Sequence, residues 1–355
     1  MPFIAQLEPD ALLEAFVQHP PLGFVVERSA QGMPVFLAPF DLLTTADDAL
    51  RRRVVGLPGY RWWGRLLRWN TRFAGTTVSE YAPLPAAVAP ADLARGLKQA
   101  HGRECRLLVV KDIAQESPLL DDAANAHARE FAEACKAQGY VLLEGQALAW
   151  VPIDFASTDE YLARLSPGRR KNIRRKLRSR ADLDVEIVPA GDPRFRDEVI
   201  LARFQALFDN VYEQSEVHFD RLGPAFFRAL LQDSRSGGTV FVYRHAGQMI
   251  GWNLCYEHDG KLIDKYVGFA YPQARQHNLY FVSWMHNLDY ALQRGLAHYV
   301  AGWTDPQVKS FLGASMTFTR HAVYARNPLL RMLLRRLGSH FESDRQLLAV
   351  ESGDE

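Results

Sequence analysis

Apolar residues recur at helical spacing through the second half of the chain. Ile200, Phe204, Leu207 and Val211 stand three or four apart and predict a helix over 197–212. Phe226, Phe227, Leu230 and Leu231 predict another over 224–231, and a longer helix spans 278–294, stopped by Gly295. Between them the pattern is that of strands, at 239–244, 249–257 and 261–269. Short turns, one of them Asp259-Gly260, make these three an antiparallel meander. A strand at 183–188 precedes this set. A strand at 298–302, a short helix at 306–312 and a strand at 317–324 follow it. In the first half, strands are predicted at 34–39, 105–111, 140–143 and 148–151. Helices are predicted at 91–100, weakened by Gly96, and at 121–138, stopped by Gly139. Strands alternating with helices imply a layered α/β fold.

Composition adds little to this picture. At 355 residues, 48% hydrophobic and 23% charged, the chain is an ordinary globular protein with room for two domains. Its net charge of +1 argues against a surface coated in nucleic acid, so any anion site is local. One local concentration stands out: eight of the twelve residues from Arg169 to Arg180 are basic. Ser166-Pro167 opens the run as N-cap and first turn, and Ile173 and Leu177 give it one apolar seam. The run reads either as a helix that meets an anionic partner or as a solvated helix held by two apolar residues. Cys105, Cys135 and Cys255 lack metal-ligand spacing and read as buried free thiols in a reducing cytoplasm. The first residues lack a signal-peptide pattern. The most apolar stretch, 140–156, carries Glu144, Gln146 and Asp154 and so does not read as a membrane span. A cytoplasmic protein is expected.

The order strand, helix, helix, three strands, helix, strand, helix, strand over 183–325 resembles the GNAT acyltransferase fold. Several segments resemble its FemAB-like, tandem-GNAT branch. Residues 166–175, SPGRRKNIRR, are similar to the basic helix that opens the second domain there. Gln293-Arg294-Gly295-Leu296, Gly302 and 308–314, VKSFLGA, are similar to its helix end, strand end and lysine-containing turn. Residues 73–84, FAGTTVSEYAPL, resemble its loop-and-strand signature. The resemblance implies an α/β fold with a mixed sheet and two GNAT-like domains in tandem. The first, 1–157, would be degenerate; the second, 158–355, would be better formed. The implied activity is N-acyl or aminoacyl transfer to a primary amine by direct attack, with no tightly bound cofactor and no metal. The donor would be acyl-CoA, an acyl-carrier protein or aminoacyl-tRNA, and the acceptor an amine-bearing small molecule or peptide. A different class stays open: a GNAT-like scaffold without catalysis, binding an anionic partner through 169–180.

Direct transfer needs an N–H for the oxyanion, a route for the ammonium proton and an anion site for the donor. The resemblance puts the first on the strand 261–269. Asp264 and Tyr266 alternate there and are expected to share a face as the catalytic pair. Trp303, Asp305 and Lys309 follow the strand at 298–302 and, with His218 in the polar loop 213–220, are expected at the substrate. For the donor the candidates are Arg170, Lys171, Arg174 and Arg175, with Gly268, Arg275, Gln276, His277 and Asn278 ahead of the long helix. Arg275 and His277 also read as an ordinary loop surface. The loop has no glycine after Gly268, a departure from the branch, so acetyl-CoA is expected to bind poorly beside a macromolecular donor. Two further segments are cationic and apolar together: 61–69, which interleaves tryptophan with arginine, and 328–337. Either could touch a membrane surface or an acyl chain; packing on the domain is expected for the second.

Overall fold

The computed structural model describes residues 2–44, 48–215 and 218–336. The chain divides into two compact units. One comprises Met1–Leu7, Gly23–Leu148 and Thr317–Glu355; the other comprises Glu8–Leu22 and Ala149–Met316. The division differs from a linear cut at 157, because each unit includes a segment from the far half of the sequence.

In the second unit the strands lie in the order 149–152, His298–Gly302, Lys261–Phe269, Gln248–His258, Gly238–His245, Asp184–Pro189. Every neighbouring pair is antiparallel except Lys261–Phe269 with His298–Gly302. A parallel step needs a crossover, and the helix Leu279–Gln293 supplies it. Side chains of Gln248–His258 alternate between two faces. Trp252 turns toward the helices Glu198–Gln214 and Pro224–Leu231, donating its indole N–H to the Phe204 carbonyl at 3.0 Å. Asn253 and Cys255 turn the other way. Asp197 caps Glu198–Gln214 by accepting from the Val199 N–H at 2.8 Å. The helix Asp10–Gln18, which the sequence pattern did not reveal, buries Leu12, Leu13 and Phe16 and packs on Pro224–Leu231.

The first unit repeats the topology. Strands Val25–Arg28, Pro34–Asp41 and Arg68–Ala74 form an antiparallel meander. Arg68–Ala74 runs parallel to Leu107–Gln115, which pairs antiparallel with Ser315–Ala325. Helices Pro90–His101 and Asp122–Ala137 pack on each other, the second capped by Asp121. The fold is mixed α/β in two units, and each is closed by a strand from the other half of the chain.

Several expectations shift for physical reasons. The strands expected at 140–143 and 148–151 are one, Val141–Pro152; Gly145 leaves space that the Thr319 side chain fills. Gly96 lies inside the continuous helix Pro90–His101, and the Gln31 amide occupies the place a Cβ would take there. Ser166 stands at the N-cap of Pro167–Leu177, but its hydroxyl makes no capping bond. Cys105 is half-buried rather than buried. The helix Pro328–Arg336 buries none of its residues, against the packing expected for it, and Leu337 lies outside the described residues. Among the described residues no helix is long and apolar enough to cross a membrane.

Candidate active site

The parallel ladder of the second unit has three rungs: Lys261 with His298, Leu262 with Tyr299, Ile263 with Val300. Beyond Ile263 the two strands part, while Lys261–Phe269 continues for six more residues. In the first unit the matching rungs, Arg72–Leu108 to Ala74–Val110, fall at the end of their strand, so no such splay forms.

A polar cluster fills the crotch of the splay. Asp264 accepts hydrogen bonds from Asn253 Nδ2 at 2.5 Å, Asn287 Nδ2 at 3.1 Å and the Tyr299 hydroxyl at 2.8 Å. Burial pushes its carboxyl above the usual carboxylate range, opposed by the donors and by Lys309 and Lys265. Lys309 is buried and donates to the Ala301 carbonyl at 2.7 Å. Gly302 takes φ +82°, a backbone conformation that favours glycine, where the strand ends beside Lys309. Asn253, Asn287 and Tyr299 escaped the sequence reading. Two amides inside otherwise apolar stretches were the available signal.

The pairing of Asp264 with Tyr266 is corrected by a β-bulge. Leu254 opposes Tyr266 and Cys255 opposes Asp264, so Lys265 is the extra residue. One extra residue reverses the alternation. Asp264 faces Leu279–Gln293. Tyr266 faces the opposite helices, its ring 5.3–6.3 Å from those of Phe208, Phe226 and Phe227. Lys265 forms a buried ion pair with Glu8 at 3.1 Å.

The other candidates scatter. His218 is exposed, its ring 5.0 Å from that of Tyr212. Trp303 is half-buried. Asp305 is exposed at the N-cap of Pro306–Leu312 and helps hold the Tyr271 and Tyr280 hydroxyls above their usual range, where burial is the main cause. Only Lys309 of that turn joins Asp264. Gly268 offers no open backbone to a donor, because the Trp252 indole fills the space a side chain would take.

The donor candidates partly converge. Ahead of Leu279–Gln293 the chain makes a cis Tyr271–Pro272 bond and a short turn, Gln273–Gln276. Asn278 then adopts φ +49°, the conformation a glycine would otherwise supply. Arg275 bonds the Gln214 side chain and lies over the Tyr271 ring, and Gln276 is exposed. The His277 ring stands 4.1 Å from that of His245. The end of the basic helix meets this loop: Ser179 donates to the His277 carbonyl, and Lys176 Nζ sits 3.5 Å from the Phe281 ring centroid. Within the helix Pro167–Leu177 the charges divide by task. Arg169 bonds the Ser310 and Phe311 carbonyls and so closes the end of Pro306–Leu312. Arg170 donates to the Ala163 carbonyl and Arg174 pairs with Asp159. Arg180, just beyond, pairs with Asp289. Lys171 and Arg175, with Arg178 after them, are exposed, carry no ion pair among the described residues and share one face at helical spacing.

No curated protein matches the chain. Solved structures do. One is the C-terminal domain (DUF2156) of a protein named as a lysylphosphatidylglycerol synthetase from Agrobacterium fabrum, with TM-score 0.53, 13% identity and coverage of 92% of this chain and 93% of that one. Another is L-PGS from Bacillus licheniformis, with TM-score 0.52, 10% identity and coverage of 94% and 97%. A third is a conserved protein of unknown function from Bacteroides thetaiotaomicron VPI-5482, with TM-score 0.52, 11% identity and coverage of 90% and 92%. At such identities these similarities speak to fold alone. The family model named FemAB-like, described as peptidoglycan biosynthesis/recognition, matches residues 93–344, well over half of the chain. With a splayed strand, a basic helix against the long helix's start and a buried lysine in the turn after Gly302, the chain belongs to the FemAB-like family.

Proposed function

We propose that the second unit moves an aminoacyl or acyl group from an activated, polyanionic donor to a primary amine. One observation carries this reading. The unpaired cationic face of Lys171, Arg175 and Arg178 lies on a segment tied, through Ser179 and Lys176, to the start of Leu279–Gln293. A helix start and a cationic stripe both favour phosphate, and together they suit a donor longer than a single phosphate group. The family's description, peptidoglycan biosynthesis/recognition, and the fold shared with proteins named for lysylphosphatidylglycerol synthesis favour an aminoacyl ester donor, such as charged tRNA.

For such a donor the amine attacks the ester carbonyl. A C–N bond forms, the C–O bond to the carrier breaks, and the ammonium proton passes to the departing alkoxide. The strand edge beyond Ile263 offers main-chain N–H groups to the oxyanion. Asp264 acts as a positioning residue: anchored by Asn253, Asn287 and Tyr299, it fixes the crotch beside Lys309. A second reading, the non-catalytic scaffold, is favoured by the separation of Asp264 and Tyr266 on opposite faces.

The test offers purified protein charged tRNA, acyl-carrier protein or acetyl-CoA with a simple amine, and follows intact mass and product. Product from charged tRNA, lost in the Lys171→Glu/Arg175→Glu/Arg178→Glu variant, supports transfer. Tight tRNA binding with no product from any donor favours the scaffold. Turnover on acetyl-CoA, unaffected by that variant, overturns the donor assignment.

A further inference from the structure

Two segments of the first unit remain outside the transfer chemistry. Residues 51–69 contain six arginines and no acidic residue; residues 326–337 contain four arginines and no acidic residue. Both are unusually open. Trp62 is 83% exposed, Leu66 63% and Leu329 68%, and Met332 and Leu333 are about half exposed. A groove of about 730 Å³ is lined by Trp69 at the end of the first segment, by Arg326, Leu329, Leu330 and Leu333 of the second, and by Arg106. Arg68 is partly neutralised by Asp41 at 3.3 Å, whereas Arg61, Arg65, Arg335 and Arg336 carry no ion pair among the described residues and are exposed.

We propose that this face docks the protein on an anionic membrane surface. The chemistry selects that occupant among three. The core of a protein–protein interface is depleted of charge, but here arginine and apolar residues are interleaved along both segments, so no dry apolar patch forms. A nucleic-acid surface uses the arginines and stacks bases on an aromatic such as Trp62, but it has no use for exposed Leu66, Leu329 and Leu333. A lipid headgroup layer uses both: leucine and tryptophan enter the acyl boundary while arginines remain among phosphates. Trp69 at the end of the first segment lines one groove with Leu329, Leu330 and Leu333 of the second, so the two segments border one another there.

The proposal does not rest on the transfer reading, and its test keeps the two apart. Full-length protein is sedimented with vesicles of phosphatidylcholine mixed with phosphatidylglycerol, and with vesicles of phosphatidylcholine alone. Binding to the mixed vesicles only, weakened by salt, is expected. Trp62→Ala/Leu329→Ser/Leu333→Ser should lower it by at least about tenfold. Arg61→Glu/Arg65→Glu/Arg335→Glu should lower it on the order of a hundredfold, about fivefold per arginine. All six positions are exposed, so both variants should keep the wild-type unfolding midpoint, and both should bind a soluble donor as the wild type does. Absence of binding to the mixed vesicles overturns the proposal. So does an apolar variant that binds like wild type, which leaves charge alone at work. A wild-type dimer that the apolar variant dissociates also overturns it, because a second copy then covers the face. Loss of tRNA binding in the arginine variant with vesicle binding unchanged assigns the surface to nucleic acid instead.

Discussion

His321 and Tyr266 illustrate what burial does to a single side chain. His321 Nδ1 accepts the Asp112 N–H at 3.1 Å, and burial lowers its pKa to about 4 although Asp112 opposes the shift. The folded state therefore holds the imidazole neutral, while the unfolded chain binds a proton near its ordinary value of about 6.5. Between these values the unfolded chain carries more protons, so this stability is present above the unfolded pKa and is lost as pH falls toward 4. The full loss is roughly 3 kcal/mol. Denaturant titrations at pH 7 and pH 5 should show wild type losing more stability than His321→Gln; parallel losses would refute the assignment. Tyr266 carries a different expectation. Its ring belongs to an aromatic cluster on the face away from Asp264. Tyr266→Phe keeps that packing, so turnover should stay within about tenfold of wild type. A loss of about 100-fold or more at unchanged stability would reinstate Tyr266 as a proton donor.

Within a single element, position decides which charges are structural and which are free. Arg169 holds two carbonyls at the end of Pro306–Leu312, so Arg169→Glu should lower the unfolding midpoint and act on donor binding only through stability. Lys171→Glu/Arg175→Glu/Arg178→Glu should leave stability near wild type. It should weaken the polyanionic donor strongly and reduce the slope of log affinity against log salt by roughly two to three. An unchanged slope in a folded variant would sink the donor reading. The basic helix itself was legible because its charge run, Pro167 and the Ile173–Leu177 seam are local features of the sequence. The meander at 238–269 was legible for the same reason: strand period and Asp259-Gly260 need no knowledge of partners. The bulge at Lys265 was not, because a bulge is defined by the register of two strands and leaves no mark on one. The loop before the long helix holds another such feature: it has no glycine after Gly268, yet Asn278 takes a positive φ with a side chain that tolerates it. The cluster around Asp264 joins residues 253, 264, 287, 299 and 309, and sequence spacing alone does not connect them.

At the scale of the molecule, the chain's two halves are not its two folding units. A fragment of residues 158–355 would contain every candidate residue for transfer, yet it would lack three parts of the second unit. The first is 149–152, which pairs with His298–Gly302. The second is the helix Asp10–Gln18, whose Leu12, Leu13 and Phe16 are at most 1% exposed. The third is Glu8, whose carboxylate neutralises Lys265 at a site where the two side chains are 0% and 6% exposed. Removing one partner of a buried ion pair costs about 3–5 kcal/mol, a large share of the roughly 5–15 kcal/mol that holds a domain together. The lost helix adds the burial of three large apolar side chains, each worth about 1.5–3 kcal/mol. The fragment 158–355 should therefore lack a cooperative unfolding transition and near-ultraviolet circular dichroism. A longer fragment, 149–316 with residues 8–22 linked ahead of it, should recover both. Conversely, a full chain ended after Met316 loses the strand from Thr317 onward, which removes the buried Ala322 and Ala325 from the first unit and leaves Leu107–Gln115 with a bare edge. Hydrogen exchange on that truncated chain should find the first unit unprotected and the second protected. A fragment 158–355 that folds as cooperatively as the longer one would mean that Glu8–Leu22 and 149–152 contribute nothing, and the exchanged-segment account of these units would fall.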